Sequence, residues 1–235
     1  MDLKLKRLIL LIVSSLSVVF VVAQHNNSFV GVRFGEAIPL GQFASKDFVS
    51  GGGYALFGKS FGAEGAWFMN PNIGFGLDVS INSFGFDAVH YAADLKDNTP
   101  EYISSVQLLS GNYRLVTYMG GVYYKVGILP KLNSTVKLMG GLFIASTPDQ
   151  FYGCEIYIQG KTYWWKTSSL DSKFSFLTGI SVEYNVFEHV ALLLQADFSY
   201  ADLGFKYLTT SGDENYTNYV SIPVLRLQPG INISF

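Results

Sequence analysis

Ile73-Gly74-Phe75-Gly76-Leu77-Asp78-Val79-Ser80-Ile81-Asn82 alternates without a break: the odd positions are apolar and the even ones small or polar. A strand puts successive side chains on opposite faces, so this stretch reads as a ribbon with one greasy side. The same period returns over about 28–38, 58–69, 114–126, 134–145, 173–186, 190–201 and 219–235, which makes eight strands in all. The connections alternate in length. Those at 70–72, 127–133 and 187–189 are short, and those at 39–57, 85–113, 146–172 and 202–218 are long. Short turns at one end and long loops at the other are the pattern of transmembrane barrels.

Periodicity does not by itself say which face points inward. The face opposite the apolar one is mostly glycine and serine with a few charges, including Gly31, Gly35, Gly62, Gly74, Gly141 and Gly179. Small residues suit the narrow interior of an eight-stranded barrel, so the apolar face is expected to meet lipid. Trp67, Phe75, Tyr124, Tyr184 and Phe235 near the short turns, and Phe61, Phe198 and Tyr200 near the long loops, fit two interfacial girdles.

Composition points the same way. Charged residues make up 14% of the chain and aromatics 16%, with 24 glycines; soluble domains carry about 25% charge. No linker or charge block divides the sequence, so one domain over 24–235 is expected, preceded by an export signal over 1–23. In that leader Lys4, Lys6 and Arg7 precede an apolar run from Leu8 to Val22, and cleavage is expected after Ala23. The whole chain carries a net charge of −2, and losing those three cations together with Asp2 takes it to −4, which gives no support to nucleic-acid binding. Cys154 is the single cysteine, so neither an intramolecular disulfide nor a multi-cysteine metal site can form.

The final residues, Leu225 to Phe235, alternate to the last position. With Gln228, Gly230, Ile233 and Phe235 they resemble the C-terminal assembly signal of outer-membrane barrels. Gly31-Val32-Arg33-Phe34-Gly35, followed by Pro39, Gly41 and Phe43, looks like the first strand and loop of the outer membrane protein β-barrel domain family. The resemblance covers roughly 28–235. It implies a closed, all-β, eight-stranded antiparallel up-and-down barrel that contacts outer-membrane lipid and is inserted by the barrel assembly machinery. Barrels of this kind serve as structural anchors, adhesins, small channels or lipid-modifying enzymes, so the fold does not settle the role. Pro223 and Pro229 conflict with a closed last strand, which has no edge where a missing N–H is harmless. A bulge, or a strand that begins after Pro223, would relieve part of the conflict.

Inward parity collects Arg33, Glu64, Asp78, Lys125, Lys137, Glu183, Asp197 and Arg226, four cations and four anions, together with the bulk of Tyr123, Phe143 and Leu193. A balanced interior reads first as an ion-paired plug. The competing reading makes Glu64 and Asp78, seven residues either side of Pro71, an acid/base pair; as facing like charges they need a cation such as Arg33 between them. The histidines argue against catalysis: His25 lies at the mature terminus, His90 in a long loop and His189 in a short turn. No catalytic, cofactor or metal constellation is expected. The third long loop carries Phe151, Tyr152, Tyr157, Tyr163, Trp164 and Trp165, with a hairpin turning near Gln159-Gly160 that extends the barrel. Exposed aromatics there suit contact with glycans, lipid headgroups or a protein partner, and Cys154 is expected to be exposed among them. The leading expectation is a non-enzymatic barrel with a structural or surface-interaction role. A narrow porin-like channel and an outer-leaflet lipid enzyme are the alternatives.

Overall fold

The computed structural model describes residues 28–99, 103–208 and 215–235; the leader over 1–23 and His25 lie outside them. The barrel wall is built from β1 (Phe29–Pro39), β2 (Ala55–Phe68), β3 (Ile73–Phe86), β5 (Tyr113–Leu129), β6 (Leu132–Ser146), β9 (Leu170–Phe187), β10 (Val190–Leu208) and β11 (Asn215–Ser234). Each strand pairs antiparallel with its neighbours, and β11 pairs with β1 to close the ring. This is the eight-stranded closed barrel that the alternation implied.

The wall is taller than the alternation suggested. β10 runs to Leu208 and β11 begins at Asn215, while the connection read as 127–133 shrinks to a turn between Leu129 and Leu132. About 9–11 tilted residues suffice to cross a bilayer, so strands of 17 to 20 residues carry the wall well beyond that length. The material over 85–113 and 146–172 is not loop. It forms α2 (Ala88–Asn98) and a separate three-stranded sheet of β4 (Ile103–Ser110), β7 (Gln150–Ile156) and β8 (Gly160–Lys166). The expected hairpin exists as β7 and β8, but it pairs with β4 rather than extending the barrel. The short helix α1 (Gly41–Ala44) folds back over the mouth and inserts Phe43 into the barrel end.

Burial follows parity along the wall. On β3 the side chains of Ile73, Phe75, Leu77, Val79 and Ile81 are exposed, whereas Asp78, Ser80 and Asn82 between them are buried. That outward run covers nine residues, the length a tilted strand needs to cross hydrocarbon. Leaving such side chains in water would forgo about 1.5–3 kcal/mol each. An apolar exterior around a charged interior is the reverse of a water-soluble protein, and it fits hydrocarbon as the surrounding solvent. At the long-loop end the apolar band gives way to an outward ion pair, Lys59 to Glu36 at 2.5 Å.

Both prolines of β11 fit the closed ring. The β1–β11 ladder pairs 29–33 with 230–234 and 36–39 with 224–227, and is interrupted between, where Phe34 and Gly35 face Gln228 and Pro229. Pro229 thus sits where no bridge to β1 is made. A Cβ on Gly35 would run into the Leu227 carbonyl oxygen, so only glycine permits this close approach. Pro223 lies past the last pair, Pro39 with Val224, and its carbonyl accepts the Leu40 N–H at 3.0 Å. The late strand start is not what occurs, since β11 begins eight residues before Pro223.

Candidate functional site: the lumen and the outer sheet

All eight charged residues with inward parity are buried within the barrel. They form two neutral groups. In the larger, Arg33 contacts Glu64 at 2.5 Å and Asp78 at 2.6 Å, and Lys137 contacts Glu64 at 2.9 Å, Asp78 at 2.8 Å and Asp197 at 3.2 Å. Arg226 completes it, 3.0 Å from Asp197 and hydrogen-bonded to the Ser80 hydroxyl. The smaller group is Lys125 with Glu183 at 3.0 Å. Its ammonium also lies 5.8 Å from the ring centres of Phe29 and Phe68, and Glu183 accepts from Thr135 and Asn232.

Register explains why these side chains meet. Glu64 on β2 is paired with Asp78 on β3, and Lys137, Gly179 and Asp197 lie side by side across β6, β9 and β10. Gly179 makes the crossing possible, because a Cβ there would run into the Asp197 carboxylate and crowd the Lys137 stem. Tyr123 donates its hydroxyl to Glu64 at 3.1 Å and Gln195 its amide to Asp197 at 2.7 Å. Every carboxylate of the larger group is therefore held by at least two cations, and Glu64 and Asp197 by a neutral donor as well, while among the described residues one oxygen each of Asp78 and Asp197 accepts no hydrogen bond. Carboxylates that are each shared between cations suit a fixed electrostatic network better than a proton-transferring pair.

Packed side chains bracket the larger group. Toward the short turns Phe29, Phe68 and Tyr123 form an aromatic layer, with ring centres of Phe29 and Tyr123 6.0 Å apart. Toward the long loops Phe43, Phe84, Leu115, Leu203, Phe205 and Ile222 are fully buried. The pattern of the sequence showed the inward charges and Tyr123, but Phe43 reaches this layer only through α1, which no alternation signals.

Of the C-terminal residues that resemble an assembly signal, Ile233 points outward and Phe235 is half-buried, its N–H bonded to the Ser28 carbonyl at 3.0 Å. Gln228 faces the lumen and donates to Ser60 at 2.9 Å, and Gly230 lies against Arg33. His90 sits in the first turn of α2 and not in a loop; its ring lies 2.7 Å from Asp87, the residue that caps this helix and also takes Lys46 at 2.7 Å. Burial opposes ionisation of Asp87, but hydrogen bonds from Lys46 and His90 outweigh it and hold the carboxyl down at about 2. His189 lies in the turn between β9 and β10.

The loop aromatics divide between two faces of the outer sheet. Leu109, Phe151 and Trp165 lie in one row across β4, β7 and β8, next to a row of Gln107, Gly153 and Tyr163. Trp165 and Tyr163 are exposed on this face with Phe151 half-buried between them, its ring centre 4.8 Å from that of Trp165. The opposite face holds two corrections. Tyr152 is 4% exposed and Cys154 2%, so neither is the surface residue expected of an aromatic loop. Tyr152 stacks on Trp164 at 5.2 Å with rings nearly parallel, and its hydroxyl bonds to Gln150. Tyr157 is exposed in the β7–β8 turn. Among the described residues no group of His, Cys, Asp and Glu could hold a metal ion.

With this geometry in view, comparison with known proteins finds likeness of fold only. No family model matches the sequence, and no curated protein matches it. Among solved structures, Neisserial surface protein A is similar at 11% identity and a TM-score of 0.47, over 88% of this chain and 97% of that one. The outer membrane protein OprG of Pseudomonas aeruginosa is similar at 10% and 0.46, over 90% and 97%. Ail, the attachment invasion locus protein of Yersinia pestis, is similar at 10% and 0.43, over 88% and 97%. These are resemblances of architecture to small membrane barrels.

Proposed function

We propose that residues 24–235 form an outer-membrane β-barrel, exported by a leader removed after Ala23, whose role is structural or adhesive rather than enzymatic. The observation that carries this reading is the inversion of burial: apolar side chains outside, a neutral ion network inside. Eight strands enclose an interior about wide enough for side chains to fill, whereas aqueous channels need roughly 16–18. The two packed layers on either side of the larger charge group support a closed lumen. The aromatic face of the outer sheet supports contact with glycan, lipid headgroup or protein. Gln228, Gly230, Ile233 and Phe235 serve the assembly machinery in this reading.

Fractionation with refolding tests it. The mature chain should partition with the outer membrane, refold only in detergent or lipid, and migrate faster unheated than boiled on a denaturing gel. It should not release small solutes from liposomes, and outer-membrane lipid mass spectra should be unchanged by its expression. Solubility without detergent sinks the membrane reading, solute release the closed lumen, and a new lipid species the non-enzymatic role.

A further inference from the structure

The geometry points to a binding site for a small organic anion, a carboxylate on a compact aromatic or hydrocarbon body, in the cavity at the long-loop end of the barrel. The cavity encloses about 190 Å³ between the β1–β2 connection, α2, the start of β5, the end of β8 and the tops of β10 and β11. An apolar cavity of about 150 Å³ accommodates benzene, so this one has room for a ring bearing a carboxylate. Its floor includes Tyr113 and Phe205, which belong to the packed layer around Phe43 and Phe84. A ligand entering from the loop end therefore stops there, and the site binds without conducting.

Lys166, the last residue of β8, lines this cavity and supplies the charge. Its ammonium lies 4.2 Å from the Tyr207 ring centre, and among the described residues no carboxylate forms an ion pair with it. Acids on the surrounding elements are engaged elsewhere: Asp94 takes the Tyr54 hydroxyl, Asp149 the Ser168 N–H and Asp171 the Gly204 N–H. Burial pushes the Lys166 ammonium down from its ordinary value, the direction expected of a cation that, among the described residues, faces an aromatic ring and no carboxylate. A bound anion would offset that cost. Gln150 stands in the same wall and takes the Tyr152 hydroxyl on its Oε1 at 2.8 Å, which turns its amide N–H groups to other acceptors. Phe86, Phe205 and Val220 offer the apolar surface for the body of the ligand. Tyr113 and Tyr207 already donate their hydroxyls, to the Gly53 carbonyl and to Thr147, so Lys166 and Gln150 carry the recognition.

The probe is benzoate, titrated into the full mature protein in lipid nanodiscs and followed by the fluorescence of Trp164 and Trp165, which adjoin Lys166 in the sequence. Saturable binding is expected, weakened about tenfold or more for neutral benzamide and for Lys166→Met, the factor a hydrogen bond to a charged group typically carries. Lys166→Arg should retain binding, and acetate, which lacks the ring, should bind more weakly than benzoate. The benzamide and acetate comparisons use the wild type, so they decide the matter even where Lys166→Met fails to show the folded gel mobility. Equal binding of benzamide, or undiminished binding by folded Lys166→Met, overturns the site. Asp213 and Glu214 lie outside the described residues, and binding that appears only after Asp213→Asn with Glu214→Gln overturns the site too, because the lysine then serves carboxylates of its own chain.

Discussion

Glu64 and Asp78 stand directly opposite each other on β2 and β3, and the same two cations, Arg33 and Lys137, bind both. Two carboxylates in register repel, and a shared guanidinium and ammonium convert that repulsion into a four-membered unit. The unit is neutral by itself. Removing one member leaves the others in a buried site with unbalanced charge.

Arg33→Ala should therefore destabilise the barrel by about 3–5 kcal/mol where the site stays dry, and by less where water enters. Glu64→Gln added to it should recover part of the loss by removing the excess anion. Urea unfolding of the single and double variants in detergent reads both effects. Strictly additive changes would mean that the two residues do not share a network.

Gly179→Ala tests the crossing of Lys137 and Asp197. The added methyl meets a carboxylate that is already held by Lys137, Arg226 and Gln195 and is not free to swing aside. The expected loss is about 1–3 kcal/mol, the usual cost of overpacking. Asp197→Ala in the same background removes the clash as well as the ion pairs, so its cost should fall below the sum of the two single losses. Full additivity would place the strain elsewhere.

Cys154 offers a probe of the outer sheet. Burial in the face opposite Trp165 pushes its thiol up, which disfavours the reactive thiolate. A membrane-impermeant thiol reagent should leave whole cells unlabelled and label the protein only once it is denatured. Rapid labelling of the native protein would mean that the sheet lifts from the barrel mouth.

The depressed carboxyl of Asp87 gives α2 a defined pH dependence. Because its folded value of about 2 lies below the ordinary 3.8, its contribution is complete above the ordinary value and disappears as pH falls through the folded one. Protection of the α2 amides from hydrogen exchange should fall between about pH 4 and pH 2. Asp87→Ala should lower that protection at neutral pH by about 0.5–2 kcal/mol, the value of an N-cap. An unchanged exchange rate in the variant would show that Lys46 and His90 anchor the helix without it.

How far the sequence carried can be seen in individual elements. Arg33, Asp78 and Lys137 were legible as inward because a strict period of two survives along the whole wall, with register shifts only near strand ends at Ala55, Gly127 and Val190. β4 was not legible: Ser104-Ser105 and Leu108-Leu109 break the alternation. α2 had a usable signal, since Asp87 precedes Ala88 and caps the His90 N–H, a helix start hidden inside an apparent loop. Cys154 was misplaced because aromatics occupy both faces of β8, and the pattern alone does not say which face is covered. Lys166 was missed because it enters the cavity from a strand outside the barrel, where wall parity has no meaning.

The interruption at Gly35 and Pro229 bears on the order of assembly. β1 is held on one side by an unbroken ladder to β2 and on the other by two short runs separated by a gap. Elsewhere in the ring β10 and β11 are joined from Val190 to Leu208 without a break. The joint between the first and last strands is thus expected to gain its bonds last and release them first, since loop closure is largest there and its ladder is broken in mid-strand. In hydrogen exchange the amides of β1 that face β11 should trade with solvent ahead of those facing β2, marking where the cylinder parts into an open curved sheet.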